Sequence, residues 1–350
     1  MPLAILEGQT TWLQDESAPM YEQFYGIRSN PFALTPDPEY LFLSEEQREA
    51  IASLMYAVLA RRGFSVLIGD AGTGKTTLLR TLMRSVPDSR AVFSFVVNPT
   101  LSPAEFLRTC VADFGIDVGE SSKDAVLTKL HRFLVQIHTE SKVAVLIVDE
   151  AQRLSMEVLE EVRLLTNFET EKEKLIQVIL AGQNEFADTL DQYDLRQLKQ
   201  RVSTRLHIKP LTADAVTAYI RYRWSRCSSG PAPFDAAAIE TICEVSGGIP
   251  RLVNVICENA LILGFAQGQR AINSISIAAV AADLHLTGNG DTNHIQNHSK
   301  PANTPDELLD VTVTAPVSVE VPAPTIMPTL ERYAPRRGWR VLFGLDQENL

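Results

Sequence analysis

The stretch Gly69-Asp70-Ala71-Gly72-Thr73-Gly74-Lys75-Thr76-Thr77 constrains this chain more than any other. It satisfies G-x-x-x-x-G-K-[ST] in full and stands between an apolar run, Phe64–Ile68, and an amphipathic one, Thr77–Met83. The first run predicts a short buried strand and the second a helix, so the glycines occupy a strand-to-helix turn. This composition answers a crowding problem. Phosphates held against N–H groups at a helix N-terminus need a main chain that curls around them without Cβ clashes. Lys75 is spaced to reach β and γ phosphates, and the Thr76 hydroxyl to hold Mg²⁺. Residues Gly69 to Thr77 are therefore the candidate cradle for a nucleoside triphosphate. A chance glycine turn is the competing reading, and the two flanking elements count against it.

At 350 residues and 45% hydrophobic, the chain can bury more than one core. A formal net charge of −11 argues against a surface built wholly as a clamp for nucleic acid, though not against a local basic patch. Four cysteines, Cys110, Cys227, Cys243 and Cys257, form no C-x-x-C pair and no zinc spacing, which predicts reduced thiols in a reducing compartment. The first residues lack the pattern of a secretory signal, and no run of about 18 apolar residues predicts a membrane span.

Read in order, residues 1–43 form an N-terminal extension. Its portion Tyr21–Pro38 is dense in aromatics and prolines and is expected to run extended against the nucleotide domain. Phe32 to Tyr40 are candidates for base contacts, with core packing as the other reading. Residues 44–210 alternate strand and helix patterns and predict a three-layer α/β domain with a parallel sheet. It opens with Ser44 and Gln47 in a capping box and includes the apolar runs Ala91–Asn98, Val143–Glu150 and Leu175–Gly182, with a last short strand at Arg205–Lys209. The run ending in Asp149 and Glu150 reads as a central strand buried on both faces, and its carboxyl end is where such sheets bind ligands. Residues 211–287 show helical patterns only and predict a four-helix lid. Residues 288–350 predict a disordered tail whose end, Arg336–Leu345, combines positive charge with aromatics; docking onto a partner or a membrane surface and a frayed terminus all remain open.

The acid pair sharpens the chemistry. Asp149 can anchor the Mg²⁺ shell together with Thr76, while Glu150 can act as general base on an attacking water. A kinase has no need of the second acid, so the pair favours hydrolysis of ATP. At the tip of the next strand pattern, Gln183 or Asn184 can orient that water, and either also suits a turn or cap. The basic stretch from Arg196 to Arg205 suits an arginine finger inserted into a neighbouring subunit, with Arg201 preferred over Arg205 and Arg196; a solvated helix face is the plain alternative. Arg251, in the first turn of a lid helix, opposes the helix dipole, and pointing it at the phosphates explains that placement as well as a salt bridge does. His294 and His298 fall in the tail pattern, and the other histidines show no ligand spacing.

Six runs carry a resemblance: YEQFYGI (21–27), NPFALTPDP (30–38), VDEAQ (148–152), LAGQ (180–183), LRQLKQRV (195–202) and GIPRLVN (248–254). With the glycine-rich loop they make the chain resemble the AAA+ ATPases and, within them, the GspA/ExeA-like secretion family, which includes relatives encoded with exopolysaccharide export. The likeness spans about residues 21–286. It implies an α/β P-loop domain followed by a helical lid, a homo-oligomer, and ATP hydrolysis coupled to an envelope secretion or polysaccharide-export assembly. It also implies a cytoplasmic location, with a peripheral position at the inner membrane as a variant. In that family Arg201 corresponds to the arginine finger and Arg251 to the second sensor. Relatives with a transmembrane helix and a wall-binding domain carry them after the lid, where this chain is expected to have neither. Asn184 stands where many relatives have proline. Two other readings share the same core: an adaptor acting on DNA, of the transposition or origin-recognition kind, and a scaffold that reads nucleotide without hydrolysing it.

Overall fold

Three runs, Phe64–Gly69, Val143–Val148 and Ile176–Gly182, are buried along their whole length and become the inner strands of a five-stranded parallel sheet. The structure, a computed structural model, describes residues 20–35, 37–97, 100–119 and 122–286. The tail expected at 288–350, its Arg336–Leu345 end, His294 and His298, and residues 1–19 lie outside the described residues. The elements in chain order are α1 (Met20–Tyr25), α2 (Glu45–Leu59), β1 (Phe64–Gly69), α3 (Lys75–Ser85), β2 (Ala91–Val96), α4 (Pro103–Asp113), α5 (Lys123–Thr139) and β3 (Val143–Val148). There follow α6 (Met156–Leu165), β4 (Ile176–Gly182), α7 (Asn184–Leu190), α8 (Arg196–Lys199) and β5 (Val202–Ile208). The lid comprises α9 (Ala213–Cys227), α10 (Ala236–Ser246), α11 (Pro250–Ala266) and α12 (Ser274–Asp283).

The strand order is β2-β3-β4-β1-β5. In register, Val96 pairs with Val148, Val148 with Leu180 and Ile68 with Gly182, so these strands finish level at one edge. Alternate residues serve two layers, as the strand period of two requires. Val66, Ile68, Ala144, Leu146, Val148, Val178 and Leu180 share a core with Phe106, Leu130 and Val158 from α4, α5 and α6. The opposite face meets α2 and α3. Ser44, Ser102, Ser122 and Ser155 cap the helices that follow them, and Ser44 and Ser102 complete capping boxes with Gln47 and Glu105. Each such cap contributes about 1 kcal/mol. The last strand begins at Val202 rather than at Arg205, which puts Arg201 just before β5 and Arg205 within it.

A second core belongs to the lid, and the N-terminal segment is part of it. Tyr21, Ile27, Phe32 and Tyr40 pack with Tyr219, Trp224, Phe234, Val253 and Leu261. This corrects the expected packing: the segment begins as helix α1, not as extended chain, and its aromatics bury against the lid rather than the α/β layers. Rings meet edge-on, Phe32 with Phe234 at 6.0 Å and Phe42 with Tyr219 at 5.6 Å, the arrangement favoured by the ring quadrupole. The buried Arg223 holds the segment down. Its guanidinium donates to the Pro31 and Ala33 carbonyls and to the Tyr219 hydroxyl, and lies over the Tyr40 ring at 5.3 Å. Residues 33–35 and 37–43 therefore lead from the lid to α2, making a second strap between the two cores beside the direct link from Ile208 to Leu211.

Candidate nucleotide-binding site

A cleft of about 590 Å³ lies where the two cores meet, and the glycine-rich loop forms its floor. Gly72 and Gly74 have φ of +83° and +96°, a left-handed backbone that glycine adopts without strain. Gly74 is the residue before α3, and no side chain caps that helix, so its first N–H groups are available to an anion. The loop is braced from two sides. Gln47, beyond its role in the capping box, donates through Nε2 to the Thr73 carbonyl at 3.2 Å. From the lid, the Arg251 N–H donates to the Gly72 carbonyl at 3.3 Å.

Lys75 Nζ donates to the carbonyls of Gly69 at 2.8 Å and Asp70 at 2.9 Å, so the loop itself holds the ammonium in place. Burial pushes its pKa below the ordinary lysine value, against the opposing pull of Glu150, Asp149 and Asp70. Thr76 Oγ1 donates to Asp149 Oδ2 at 2.5 Å. Asp149 is 1% exposed, and its other oxygen accepts the Glu150 N–H at 3.0 Å. A hydroxyl and a carboxylate in contact are the hard oxygen donors that suit Mg²⁺, so the residues present fit that ion. This meeting was expected, but its path was not legible beforehand: β3 is not the neighbour of β1, and β4 runs between them.

That insertion places Gln183, at the tip of β4, beside the acids. Gln183 Nε2 is 3.4 Å from Glu150 Oε2, and its N–H donates to Gln152 Oε1 at 3.2 Å. Asn184 takes a different direction: it donates to Asp70 Oδ1 at 2.5 Å, and its own oxygen is 3.2 Å from His207 Nε2 on β5. Of the two candidates, Gln183 lines the cleft with Glu150. Glu150 itself has φ of +55°, uncommon for a residue with a β-carbon, and it opens the tight turn Ala151–Arg153.

Arg251 lines the cleft from the lid, next to Pro250 and Asn254. Arg201 does not line it; its guanidinium donates to the Arg163 carbonyl at 2.9 Å and to Thr166 Oγ1 at 2.5 Å, at the end of α6. Arg205 is exposed and lies 3.8 Å from Asp191, and Arg196 is exposed. Residues 33–35, 37–38 and 40–43 form one wall of the cleft, where the sequence offered Phe32 to Tyr40 as base contacts; Phe32 itself is fully buried in the lid core. The sequence reading missed Gln47, Gln152, Arg223 and His207. Gln152 stood in the quoted VDEAQ run and Gln47 in the capping box, whereas Arg223 and His207 carry no local signal because their partners lie far away in sequence.

A family model described as an AAA domain matches residues 59–190. Over 267 residues the chain is 42% identical to general secretion pathway protein A from Aeromonas hydrophila, a match taking in 74% of this chain and 48% of that protein. The chain thus spans about half the length of the curated relative it matches. Among solved structures, the ORC2 protein of Aeropyrum pernix in ADPNP–ADP complexes is similar with a TM-score of 0.57 at 16% identity, over 73% of this chain and 72% of that one. Drosophila ORC bound to DNA is similar with a TM-score of 0.58 at 16% identity, over 81% and 71%. Likeness at this level of identity shows a shared fold alone.

Proposed function

We infer the function from one premise: this chain belongs to the AAA+ family and, within it, to the general secretion pathway protein A type. On that premise the protein binds Mg·ATP in the cleft over Gly69–Thr77 and hydrolyses it to ADP and phosphate. The observation that carries the reading is the contact between Thr76 Oγ1 and Asp149 Oδ2, with Lys75 and Glu150 on either side. Asp70, Ala71, Gly72, Thr73 and Gly74 wrap the phosphates, and Lys75 exchanges its two carbonyl partners for phosphate oxygens. Thr76 and Asp149 are the groups that would hold Mg²⁺, and the ion supplies charge neutralisation on the phosphates when bound. Glu150 takes a proton from water, Gln183 orients that water, and Arg251 brings a positive charge from the lid.

The finger is supplied by a neighbouring copy in a homo-oligomer. Using Arg201 for it requires the side chain to leave the Arg163 carbonyl and Thr166, whereas Arg196 and Arg205 are already exposed. The output is directed to an envelope secretion or polysaccharide-export assembly from the cytoplasmic side of the inner membrane. The kinship with general secretion pathway protein A supports this, and no helix among the described residues is long and apolar enough to cross a membrane. Three variants test the proposal. Lys75→Ala loses nucleotide binding, Glu150→Gln binds ATP and does not turn it over, and Arg201→Ala recovers turnover when mixed with subunits that supply the arginine. Normal turnover by Glu150→Gln sinks the catalytic assignment.

A further inference from the structure

We propose that Gln152 is a positioning residue for Glu150, an amide clamp that ties one carboxylate oxygen to the tip of β4 and leaves the other for water. The proposal rests on the reading of Glu150 as general base. Gln152 Nε2 donates to Glu150 Oε2 at 2.6 Å, while Gln152 Oε1 accepts the Gln183 N–H at 3.2 Å. One side chain thus joins the acid that ends β3 to the residue that ends β4. Gln183 Nε2 lies 3.4 Å from the same Oε2, so two amides converge on a single oxygen. Among the described residues, none donates a hydrogen bond to Oε1.

The geometry explains why a clamp is needed. Glu150 is half-buried at the cleft wall and carries three rotatable side-chain bonds, so packing alone does not select one rotamer. A general base works only with its reacting oxygen within about 3 Å of the proton it takes. Gln152 is a rigid anchor for that purpose. It sits in the tight turn Ala151–Arg153, closed by Arg153 N–H to Glu150 O at 2.9 Å and Leu154 N–H to Ala151 O at 3.1 Å, with Ala151 1% exposed beneath it. The competing role is purely structural: Gln152 as the acceptor that satisfies the Gln183 N–H just before α7.

The substitution Gln152→Glu keeps an acceptor for Gln183 N–H but sets a carboxyl against Glu150 that either repels it or shares its proton, so it is read beside the uncharged Gln152→Met, which cannot donate to Glu150. Measured on the full chain, Gln152→Glu and Gln152→Met are expected to lower kcat for ATP about tenfold or more, part of the 10²–10⁴-fold that a positioned base supplies. KM, and the Kd for a fluorescent ADP analogue, stay within about threefold of wild type, because the clamp touches the base and not the nucleotide cradle. In a Glu150→Gln background, where multiple turnover has stopped, Gln152→Met has no further effect on the slow single-turnover rate, as expected of a residue that acts through another. Wild-type kcat in Gln152→Met overturns the clamp, as does an equal loss on adding Gln152→Met to Glu150→Gln. Should Gln152→Met fail to fold, the uncharged Gln152→Ala carries the test, because a carboxylate at 152 perturbs Glu150 whether or not the clamp acts. The outcomes also separate the clamp from its premise: a Glu150→Gln protein that turns over normally removes the general base, whereas an essential Glu150 beside a neutral Gln152 removes only the clamp.

Discussion

Replacing Gly72 by alanine tests the joint between the loop and the lid. Gly72 has φ of +83°, and a β-carbon there would stand 2.9 Å from Arg251 Cβ and 3.0 Å from Ile249 Cγ2. Two costs follow from that geometry. A residue with a β-carbon in the left-handed region costs about 1–2 kcal/mol, and forcing a methyl into a filled contact adds about 1–3 kcal/mol. The lid can relieve the second cost by swinging away from the loop, but then Arg251 leaves the cleft; the first cost stays wherever the lid goes. Chemical denaturation of Gly72→Ala should therefore show a loss of at least about 1–2 kcal/mol. Titration with a fluorescent ADP analogue should show affinity weaker by roughly five- to 150-fold, the penalty of 1–3 kcal/mol on the closed lid converted at 1.4 kcal/mol per tenfold. Adding Ile249→Ala removes one of the two clashing carbons and should restore part of that affinity. Wild-type stability together with wild-type affinity in Gly72→Ala would refute the contact between α11 and the loop.

Three further outcomes can be checked. Arg223→Leu strands the buried Pro31 carbonyl and the half-buried Ala33 carbonyl, so stability should fall by roughly 2–5 kcal/mol and the segment before α2 should become sensitive to protease; an unchanged denaturation midpoint counts against the strap. Burial raises all four thiols, Cys227 to about 11, and Cys243 is the least buried, so a thiol reagent at neutral pH should label Cys243 first and the others only on unfolding, as read by mass spectrometry. Lys75 has a folded pKa below 10.5, so between that lowered value and 10.5 the unfolded chain binds more protons and its contribution to stability rises with pH. The stability difference between wild type and Lys75→Met should shift in favour of wild type as pH is raised through that window; a flat difference would contradict the burial.

The parts of the site that could be read in advance are those whose partners are near in the chain or whose burial is continuous. Gly69–Thr77 announces itself because loop, lysine and hydroxyl act from consecutive positions, and Val143–Val148 because a strand buried on both faces is apolar throughout. Aromatic density signals burial without saying against what, so the sequence does not reveal that Tyr21, Phe32 and Tyr40 share a core with Phe234 and Tyr219 of the lid. The basic stretch offers Arg201 as a finger, and the sequence does not show that its guanidinium meets Arg163 on α6 and Thr166 just after it, 38 and 35 positions away.

By itself, then, the order of residues determined that a loop able to cradle phosphate joins a strand to a helix, that two acids end an inner strand, and that an α/β domain precedes a helical one. Local rules suffice there, since backbone conformation, capping and apolar periodicity depend on neighbours a few positions away. The tertiary structure decided which side chains meet: Thr76 with Asp149 across an intervening strand, Gln183 with the carboxylate of Glu150, Arg251 with the loop, and the aromatic segment with the lid. Those meetings depend on strand order and on how two cores share a cleft, quantities that no short stretch of the chain encodes.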